Sequence, residues 1–247
     1  MIKYALLGIV QGLTEFLPVS SSGHLAILGH FFGIAQNQVA ISVILHLGTL
    51  LSLVVFFFND IIRALKSLRT IWLIIIVTFV TGIIGLSGKD FFEKLFSSHK
   101  LAALSLIITG LVLISTKRFL RGERKSLQPK DALILGLTQG AAIIPGISRS
   151  GLTISTLLFL KIEPALCFRF SFLASIPAVF GAALLEAKEI DFALKENFPG
   201  LLAGFTLSFI FGLFSLWFLR SVLLKQKLHY FGYYCIIAAV ITLLFIR

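Results

Sequence analysis

The stretch QGLTEFLPVSSSGHL, residues 11–25, places a glutamine, a glutamate, a proline, three serines and a histidine among apolar residues. The chain around it is strongly apolar. Of its 247 residues 57% are hydrophobic and 13% are charged, and the mean hydropathy is +1.00. This composition lies outside the range of soluble domains and indicates an integral membrane protein. Because ionisable residues inside a membrane are costly and mark functional sites by default, the polar groups of this stretch need an explanation.

The apolar runs of the chain predict its fold class. Six of them are about long enough to cross roughly 30 Å of hydrocarbon as helices, some only just. They lie near residues 38–58, 70–86, 101–116, 170–185, 200–219 and 229–246. We therefore predict an all-α integral membrane protein with six transmembrane helices.

A second copy of the opening stretch occurs later in the chain. The sequence LGIVQGLTEFLPVSSSG (7–23) aligns with LGLTQGAAIIPGISRSG (135–151), with seven identities in seventeen positions. Three predicted spans separate the copies, so the copies enter the membrane from opposite faces. We predict a single membrane domain over 1–247 with inverted halves of approximately 1–116 and 131–247, joined by a basic cytoplasmic loop at 117–130. Ordinary packing of small residues is the alternative explanation of the alignment.

Each copy has the sequence of a broken helix and predicts a re-entrant helical hairpin. One half-helix ends near Pro18 or Pro145, and the next begins at serines 20–22 or 148–150, whose side chains can cap free backbone N–H groups. Irregular backbone at membrane depth must be buried in protein or line a wet cavity, so we expect the two hairpin tips to face each other. Two helix N-termini then converge, and together they favour an anion such as phosphate.

Charged residues are rare in these interrupted segments, which contain only Glu15 and Arg149. Gln11 shares a helix face with Glu15, and His24 follows the serine turn. A structural ion pair is the alternative, but such a pair would not need the additional polar groups around it. His46, inside a predicted span, fits a hydrogen bond to a neighbouring helix at least as well as a supporting role, and it is left out of the catalytic set.

The formal net charge of +11 reflects topology rather than a nucleic-acid partner. Fourteen of the 22 Lys and Arg residues fall in four segments that share a face of the membrane in the predicted topology: 59–69, 117–130, 161–169 and 220–227. The positive-inside rule makes that face cytoplasmic and leaves both termini outside. The same charges attract anionic lipid head groups.

The two copies resemble the signature motifs of a known family. QGLTEFLPVSSSGHL and PGISRSGLT (145–153) are similar to the motifs of the bacterial undecaprenyl-diphosphate phosphatases, the bacitracin-resistance (BacA/UppP) family. Gln11 stands where many members have glutamate, and Ser22 where many have threonine. The resemblance covers nearly the whole chain, through LHLGTLLSLVVFF (45–57), FRFSFLASIPAVFGA (168–182) and LLAGFTLSFIFGL (201–213).

The resemblance implies hydrolysis of undecaprenyl diphosphate to undecaprenyl phosphate and inorganic phosphate, which recycles the lipid carrier of peptidoglycan synthesis and confers bacitracin resistance. It places the protein in the bacterial plasma membrane, with a site open to the outer face and a divalent cation, Mg²⁺ or Ca²⁺. The catalytic candidates are Glu15, Ser21, His24 and Arg149, and the metal-ligand candidates are Glu15 and Gln11. The substrate-binding candidates are Ser20, Ser22, Gly146, Ser148, Ser150 and Thr153.

Residue chemistry agrees with these roles and leaves some of them open. Arg149 can hold phosphate oxygens in a bidentate contact, and Glu15 with Gln11 has the oxygen ligands that Mg²⁺ or Ca²⁺ prefers. The nucleophile is His24, Ser21 or water. A lipid-phosphate flippase or secondary transporter using the same anion site is the second hypothesis, and a channel or structural protein is the third. The partners are the lipid substrate and membrane lipids, and the sequence is compatible with a homodimer.

Overall fold

The computed structural model describes residues 1–25, 38–96, 99–119, 122–185 and 190–245. Two residues of the predicted connecting loop, Leu120 and Arg121, lie outside these ranges. Within them the chain is helical apart from turns, irregular segments and one isolated β-bridge, and residues 21–25 are helical. The named helices are α1 Ile2–Phe16, α2 Gln38–Phe56, α3 Phe58–Leu65, α4 Leu68–Ser87, α5 Lys89–Phe96, α6 His99–Ser115, α7 Pro129–Ala141, α8 Arg149–Phe159, α9 Pro164–Leu185, α10 Ile190–Leu224 and α11 Tyr230–Phe245.

The described helices are long and apolar enough to cross a membrane in four places: Leu68–Ser87, Lys100–Arg118, Pro164–Leu185 and Phe198–Leu224. Residues Ile41–Phe56 of α2 and helix α3 are bent by 71° relative to each other, and they make a fifth candidate when the pair is counted as one span. Helix α11 has 16 residues, about 24 Å at the standard rise, which is shorter than the hydrocarbon layer. The all-α prediction is therefore confirmed for the described residues as a multi-span membrane protein with four to five candidate spans, against the predicted six.

The first helix of each predicted half packs against the other half. Helix α1 lies against α10, and α7 lies against α4. Glycines allow both approaches, because a Cβ at Gly8 would clash with the backbone of Gly204, and one at Gly136 would lie 2.8 Å from Val80 Cβ. In a membrane, small residues let helix backbones come close enough to gain van der Waals contact. Neither half therefore packs its first helix on its own.

A cluster of phenylalanines fills the space where α2 bends into α3. Phe57 lies at the bend and is almost fully buried, and its ring is 5.4 Å from that of Phe168 and 5.8 Å from that of Phe172 on α9. The ring of Phe16, the last residue of α1, lies 5.6 Å from Phe172 in an edge-to-face arrangement. These aromatic contacts fix the end of α1 against α9.

Hydrogen bonds connect three of the four basic segments. Arg69 donates a hydrogen bond to the carbonyl of Leu127 (2.8 Å), and the backbone N–H of Arg124 donates to the carbonyl of Lys161 (3.0 Å). The guanidinium of Arg124 also forms a two-point contact with the fully buried Asp131, at 3.3 and 2.7 Å. The hydrogen bonds therefore bring 59–69, 117–130 and 161–169 together in space.

Replacing Gly8 with alanine is expected to lower the melting temperature of the detergent-solubilised protein, because the new methyl group would push α1 away from α10. Overpacking of this kind costs about 1–3 kcal/mol. Gly82 on α4 is the matched control, since a Cβ there meets no atom of the described residues within 4 Å. Alanine at Gly82 should stabilise the helix by about 0.5–1 kcal/mol. Equal melting temperatures for the two variants would contradict the close packing of α1 on α10.

Candidate functional site

The first interrupted segment turns sharply after α1. Helix α1 ends at Phe16, residues 17–19 form a turn, and a new helix begins at Ser21. Ser20 has φ +67°, a left-handed conformation that is uncommon for a residue other than glycine. The thiol of Cys235 on α11 donates a hydrogen bond to the carbonyl of Pro18 (3.3 Å). The turn is therefore a strained backbone held from outside, as is typical of functional sites.

The second interrupted segment is fixed in a related way from α6. Thr109 donates a hydrogen bond to the carbonyl of Gly146 and accepts one from the backbone N–H of Ser148, both at 3.1 Å. Gly146 has φ +86°, and a Cβ there would clash with the carbonyl oxygen of Ala102, so only glycine fits. Helix α7 ends at Ala141 rather than near Pro145, because tight turns already begin at residue 142.

Serine hydroxyls form the same local pattern at the two helix starts. The Oγ atoms of Ser20 and Ser22 are 3.2 Å apart, and those of Ser148 and Ser150 are 3.3 Å apart. Ser148 also caps α8 by accepting a hydrogen bond from the backbone N–H of Gly151 (3.2 Å). Each new helix thus starts at a pair of serines, in the place that the sequence predicted.

The two interrupted segments are in contact with each other. A Cβ built on Gly151 at the start of α8 would lie 3.0 Å from Cβ of Pro18 in the first turn. Arg149, the first residue of α8, forms an ion pair with Oε1 of Glu15 near the end of α1. Residues that are 134 positions apart in sequence therefore meet at the junction of two broken helices.

The carboxylate of Glu15 is the centre of this junction. Its second oxygen, Oε2, accepts hydrogen bonds from Ser21 Oγ at 2.7 Å and from Gln11 Nε2 at 3.1 Å. His46 Nε2 lies 3.5 Å from the same oxygen. The side chain of Glu15 is only 6% exposed, and that of Arg149 is 20% exposed. The arrangement supports an ionised carboxylate, because donors surround it and a guanidinium neutralises it.

His46 is a member of this group that sequence reasoning left outside the catalytic set. Its Nδ1 lies 2.7 Å from the carbonyl oxygen of Ser42 on the same helix, so Nδ1 carries the proton and Nε2 points toward Glu15. The sequence did offer one indication that His46 belongs to the site, since it is an ionisable residue inside a predicted span. The sequence could not predict that His46 lies beside Glu15, because the two residues are on different helices, α2 and α1, and no helical spacing relates them.

His24 is held at both ring nitrogens. Nδ1 lies 2.9 Å from the carbonyl oxygen of Ser20, and Nε2 lies 2.6 Å from the hydroxyl of Tyr234 on α11, with the two rings nearly parallel. A carbonyl oxygen can only accept a hydrogen bond, so Nδ1 is the protonated nitrogen. Nε2 of the neutral ring then accepts a hydrogen bond from the hydroxyl of Tyr234. Sequence reasoning missed Tyr234, since nothing in the last helix points to a partner 210 residues earlier.

Thr153, predicted to bind substrate, already has partners within the protein. Its hydroxyl donates to the carbonyl of Arg149 at 2.7 Å and therefore accepts from Ser171 Oγ, 2.6 Å away on α9. These contacts fasten the first turn of α8 to α9. The structure thus places Thr153 where it fixes the backbone that carries Arg149.

The oxygen atoms near Glu15 fit a hard divalent cation in part. No group of three or more His, Cys, Asp or Glu residues among the described residues could hold a metal ion. However, Oε1 of Gln11 is buried and has no hydrogen-bond partner among the described residues, while Nε2 of the same side chain contacts Glu15. A buried carbonyl oxygen beside a carboxylate is a donor set that suits Mg²⁺ or Ca²⁺, provided that phosphate oxygens or water complete the shell.

Comparison with known proteins gives a consistent result over nearly the whole chain. The model of a family described as bacitracin resistance protein BacA matches residues 4–241. An undecaprenyl-diphosphatase of Syntrophotalea carbinolica is 44% identical, with 93% of each chain covered. Proteins of the same name from Alkaliphilus metalliredigens and Carboxydothermus hydrogenoformans are 41% and 43% identical; the matches cover 98% of each chain for the former, and 96% of this chain and 94% of the relative for the latter. The matched range includes both interrupted segments.

Proposed function

The chain belongs to the bacitracin resistance protein BacA family, and from this premise we propose that it hydrolyses undecaprenyl diphosphate to undecaprenyl phosphate and inorganic phosphate. The reaction recycles the lipid carrier of peptidoglycan synthesis and confers bacitracin resistance. The observation that carries the proposal is the contact of Glu15 with Arg149 where two broken membrane helices meet, with Ser21 bonded to the same carboxylate. Relatives named undecaprenyl-diphosphatase match along almost their full length.

We propose that the diphosphate is recognised by Arg149 and by the backbone N–H groups at the two helix starts. Arg149 begins α8, so its guanidinium lies beside the N-terminal end of that helix, and the helix that starts at Ser21 lies across from it. Planar guanidinium groups bind two phosphate oxygens at once, and free N–H groups at helix starts add further donors. Without substrate, Glu15 neutralises the guanidinium. The terminal phosphate would take over part of that contact.

The hydrogen bond from Ser21 to Glu15 favours Ser21 as the nucleophile. Ser21 Oγ attacks the terminal phosphorus, its proton moves to Glu15 Oε2, and the bond to the bridging oxygen breaks, releasing undecaprenyl phosphate. A water molecule then attacks the phosphoserine, and His24 Nε2, released from its hydrogen bond with Tyr234, takes a proton from that water. Glu15 returns its proton to Ser21 as the bond from Ser21 Oγ to phosphorus breaks, and His24 passes its proton to the departing inorganic phosphate. Direct attack by His24 Nε2 or by water on the substrate is the alternative route.

A divalent cation, Mg²⁺ or Ca²⁺, is part of the proposal. Glu15 and Oε1 of Gln11 would hold it, which gives the unpaired amide oxygen a partner. When bound, the cation neutralises charge on the diphosphate, which would otherwise be repelled by the carboxylate. Arg149 orients the phosphate whether or not the cation is present.

The fold that we propose for this site is an inverted-topology repeat with six transmembrane helices and two re-entrant hairpins. Its halves are approximately 1–116 and 131–247. Reciprocal packing supports it: α1 lies on α10 while α7 lies on α4, so equivalent helices make equivalent contacts in the opposite half. The hydrogen bonds that hold the two turns are reciprocal as well. Cys235 of the second half donates to the carbonyl of Pro18 in the first, and Thr109 of the first half donates to the carbonyl of Gly146 in the second.

The proposed location is the bacterial plasma membrane, with the basic segments in the cytoplasm. Positive loops stay inside, so 59–69, 117–130 and 161–169, which lie together, would form the cytoplasmic end. Both termini and the opening of the site would then face outward, where undecaprenyl diphosphate is released by cell-wall synthesis.

A lipid-phosphate flippase is the second candidate function, because reciprocal packing of inverted halves around broken helices is also typical of secondary transporters. A flippase needs to recognise the anion but needs neither a nucleophile nor a proton acceptor. Ser21 and His24 therefore favour hydrolysis. Detergent-solubilised protein separates the two, since it can release phosphate but cannot move a lipid across a membrane.

Wild-type protein in detergent is expected to release phosphate from undecaprenyl diphosphate, and Arg149→Lys should lower the turnover about a hundredfold or more, because lysine is a point charge without a planar fork. Its melting temperature should remain close to that of the wild type. The double variant Glu15→Gln with Arg149→Gln should fold and be inactive. Near-normal hydrolysis by the double variant would show that the ion pair has only a structural role and would contradict the proposed active site.

Tyr234→Phe is expected to lower kcat about tenfold or more while KM changes little, because His24 loses the hydroxyl that holds its ring in place. Tyr233→Phe is the matched control: the same change one residue earlier on α11, at an exposed ring that contacts His229 instead. The measurement is steady-state phosphate release by both variants at equal protein concentration. Identical kcat values for the two would rule out a positioning role for Tyr234.

Gln11→Glu should lower the divalent-ion concentration needed for half-maximal activity about tenfold, because a second carboxylate would join Glu15 around the cation. Gln11→Leu, which removes the oxygen ligand, should raise that concentration. Activity is measured after chelation and stepwise addition of Mg²⁺ or Ca²⁺. An unchanged requirement in both variants would show that Gln11 is not a ligand.

A further inference from the structure

A cavity lies away from Glu15, between the α3–α4 region, the segment 125–127 and the first turns of α9. Its volume is about 250 Å³. It shares no lining residue with the group around Glu15. Four basic side chains line it, contributed by three separate parts of the sequence: Arg63, Arg69, Lys125 and Arg169.

The charge of this cavity is unbalanced. Asp60 is the only acidic residue among the described residues that line it, so three positive charges remain in excess. The carboxylate of Asp60 makes only long single contacts, 3.7 Å to Arg63 Nη1 and 3.8 Å to Arg169 Nε. These distances are at the outer limit of ion pairing, and most guanidinium N–H groups stay available for another acceptor.

Membrane topology by itself does not explain this arrangement. The positive-inside rule requires basic residues in the loops of one face, but it does not require them to converge on one concave space. Arg69 is held in place by its hydrogen bond to the carbonyl of Leu127, which fixes one side of the cavity. The four basic side chains are exposed to solvent, which screens their mutual repulsion, and an anion in this concave space would meet several of them at once.

Most of the other residues that line the cavity are apolar, and Thr70 and Ser126 are the exceptions. Leu73 on α4 and Leu166, Phe170 and Leu173 on α9 face the same space as the basic side chains. A ligand that satisfies both walls carries a compact anion on an apolar chain. Basic pockets between membrane helices at the cytoplasmic end are known to take anionic lipid head groups.

We propose that this cavity is a second binding site, which takes the phosphate group of a lipid phosphate. Guanidinium groups of Arg63 and Arg169 bind the phosphate oxygens, and the apolar wall receives the start of the lipid chain. Inorganic phosphate offers the same head-group chemistry without the chain. The site is separate from the proposed hydrolysis and does not depend on it.

The test is the binding of dioctanoyl phosphatidic acid to detergent-solubilised full-length protein, measured by titration calorimetry, with dioctanoyl phosphatidylcholine as the uncharged comparison. The double variant Arg63→Gln with Arg169→Gln should bind phosphatidic acid roughly twentyfold more weakly, since each basic residue near an anionic lipid is worth about a fivefold change. The matched control is Arg220→Gln with Lys225→Gln, which removes the same charge from exposed positions outside the cavity. Its effect should stay within about threefold at physiological salt.

A third variant is expected to bind phosphatidic acid more tightly, and a folding defect would not produce that result. Asp60→Asn removes the carboxylate that competes for Arg63 and Arg169, so phosphatidic acid should bind more tightly. Phosphate release from undecaprenyl diphosphate in detergent should be unaffected by Arg63→Gln with Arg169→Gln. This readout keeps a failure of the second site distinct from a failure of the proposed hydrolysis.

The outcomes decide both the site and the source of its ligand. Phosphatidic acid binding that inorganic phosphate does not displace supports a lipid source, and displacement at equal affinity supports free phosphate at the same residues. Equal losses in the cavity variant and the control variant would overturn the proposal in favour of diffuse surface charge. Absence of phosphatidic acid binding to the wild type, or weaker binding by Asp60→Asn, would overturn it as well.

Discussion

The contact between Glu15 and Arg149 is the interaction on which the rest of the site depends. Each charge alone would be expensive at membrane depth, and each sits beside a helix break that exposes backbone polar groups. Bringing the two breaks together lets the charges neutralise each other, while Ser21 and Gln11 of the first segment donate hydrogen bonds to the carboxylate. The polar residues of the opening stretch therefore form one group around a buried ion pair, and in the proposed function a phosphate enters this pair.

Around this ion pair, the first helix of each proposed half packs against a helix of the other half. Gly8 lets α1 lie directly on α10, and Gly136 lets α7 lie directly on α4. Each broken segment is then clamped by the last helix of the opposite half, through Cys235 on one side and Thr109 on the other. Half a chain could not build the site, since every element that carries a reactive group is positioned by the other half.

Sequence patterns predicted those features that depend on local signals. Proline and serine positions predicted the helix breaks, and the repeat predicted that the two tips, which carry Glu15 and Arg149, face each other. Contacts between distant helices left no such signal, and this is why His46 stayed undecided and Tyr234 was missed. The single span expected at 38–58 is bent at Phe57, where packing of its ring against Phe168 on another helix matters more than hydropathy.

The proposed repeat is symmetric in its backbone but not in its chemistry. Each half supplies a helix start with two serines, and each has a buried glutamine whose Oε1 lacks a partner among the described residues, at Gln11 and at Gln139. Only the first copy adds a carboxylate, at Glu15, whereas the equivalent position in the second copy is Ile143. Conversely, the guanidinium of Arg149 stands where the first copy has Ser21. In the proposed function, two helix starts of like polarity therefore attract one anion, and the unequal side chains supply a single set of reactive groups to act on it.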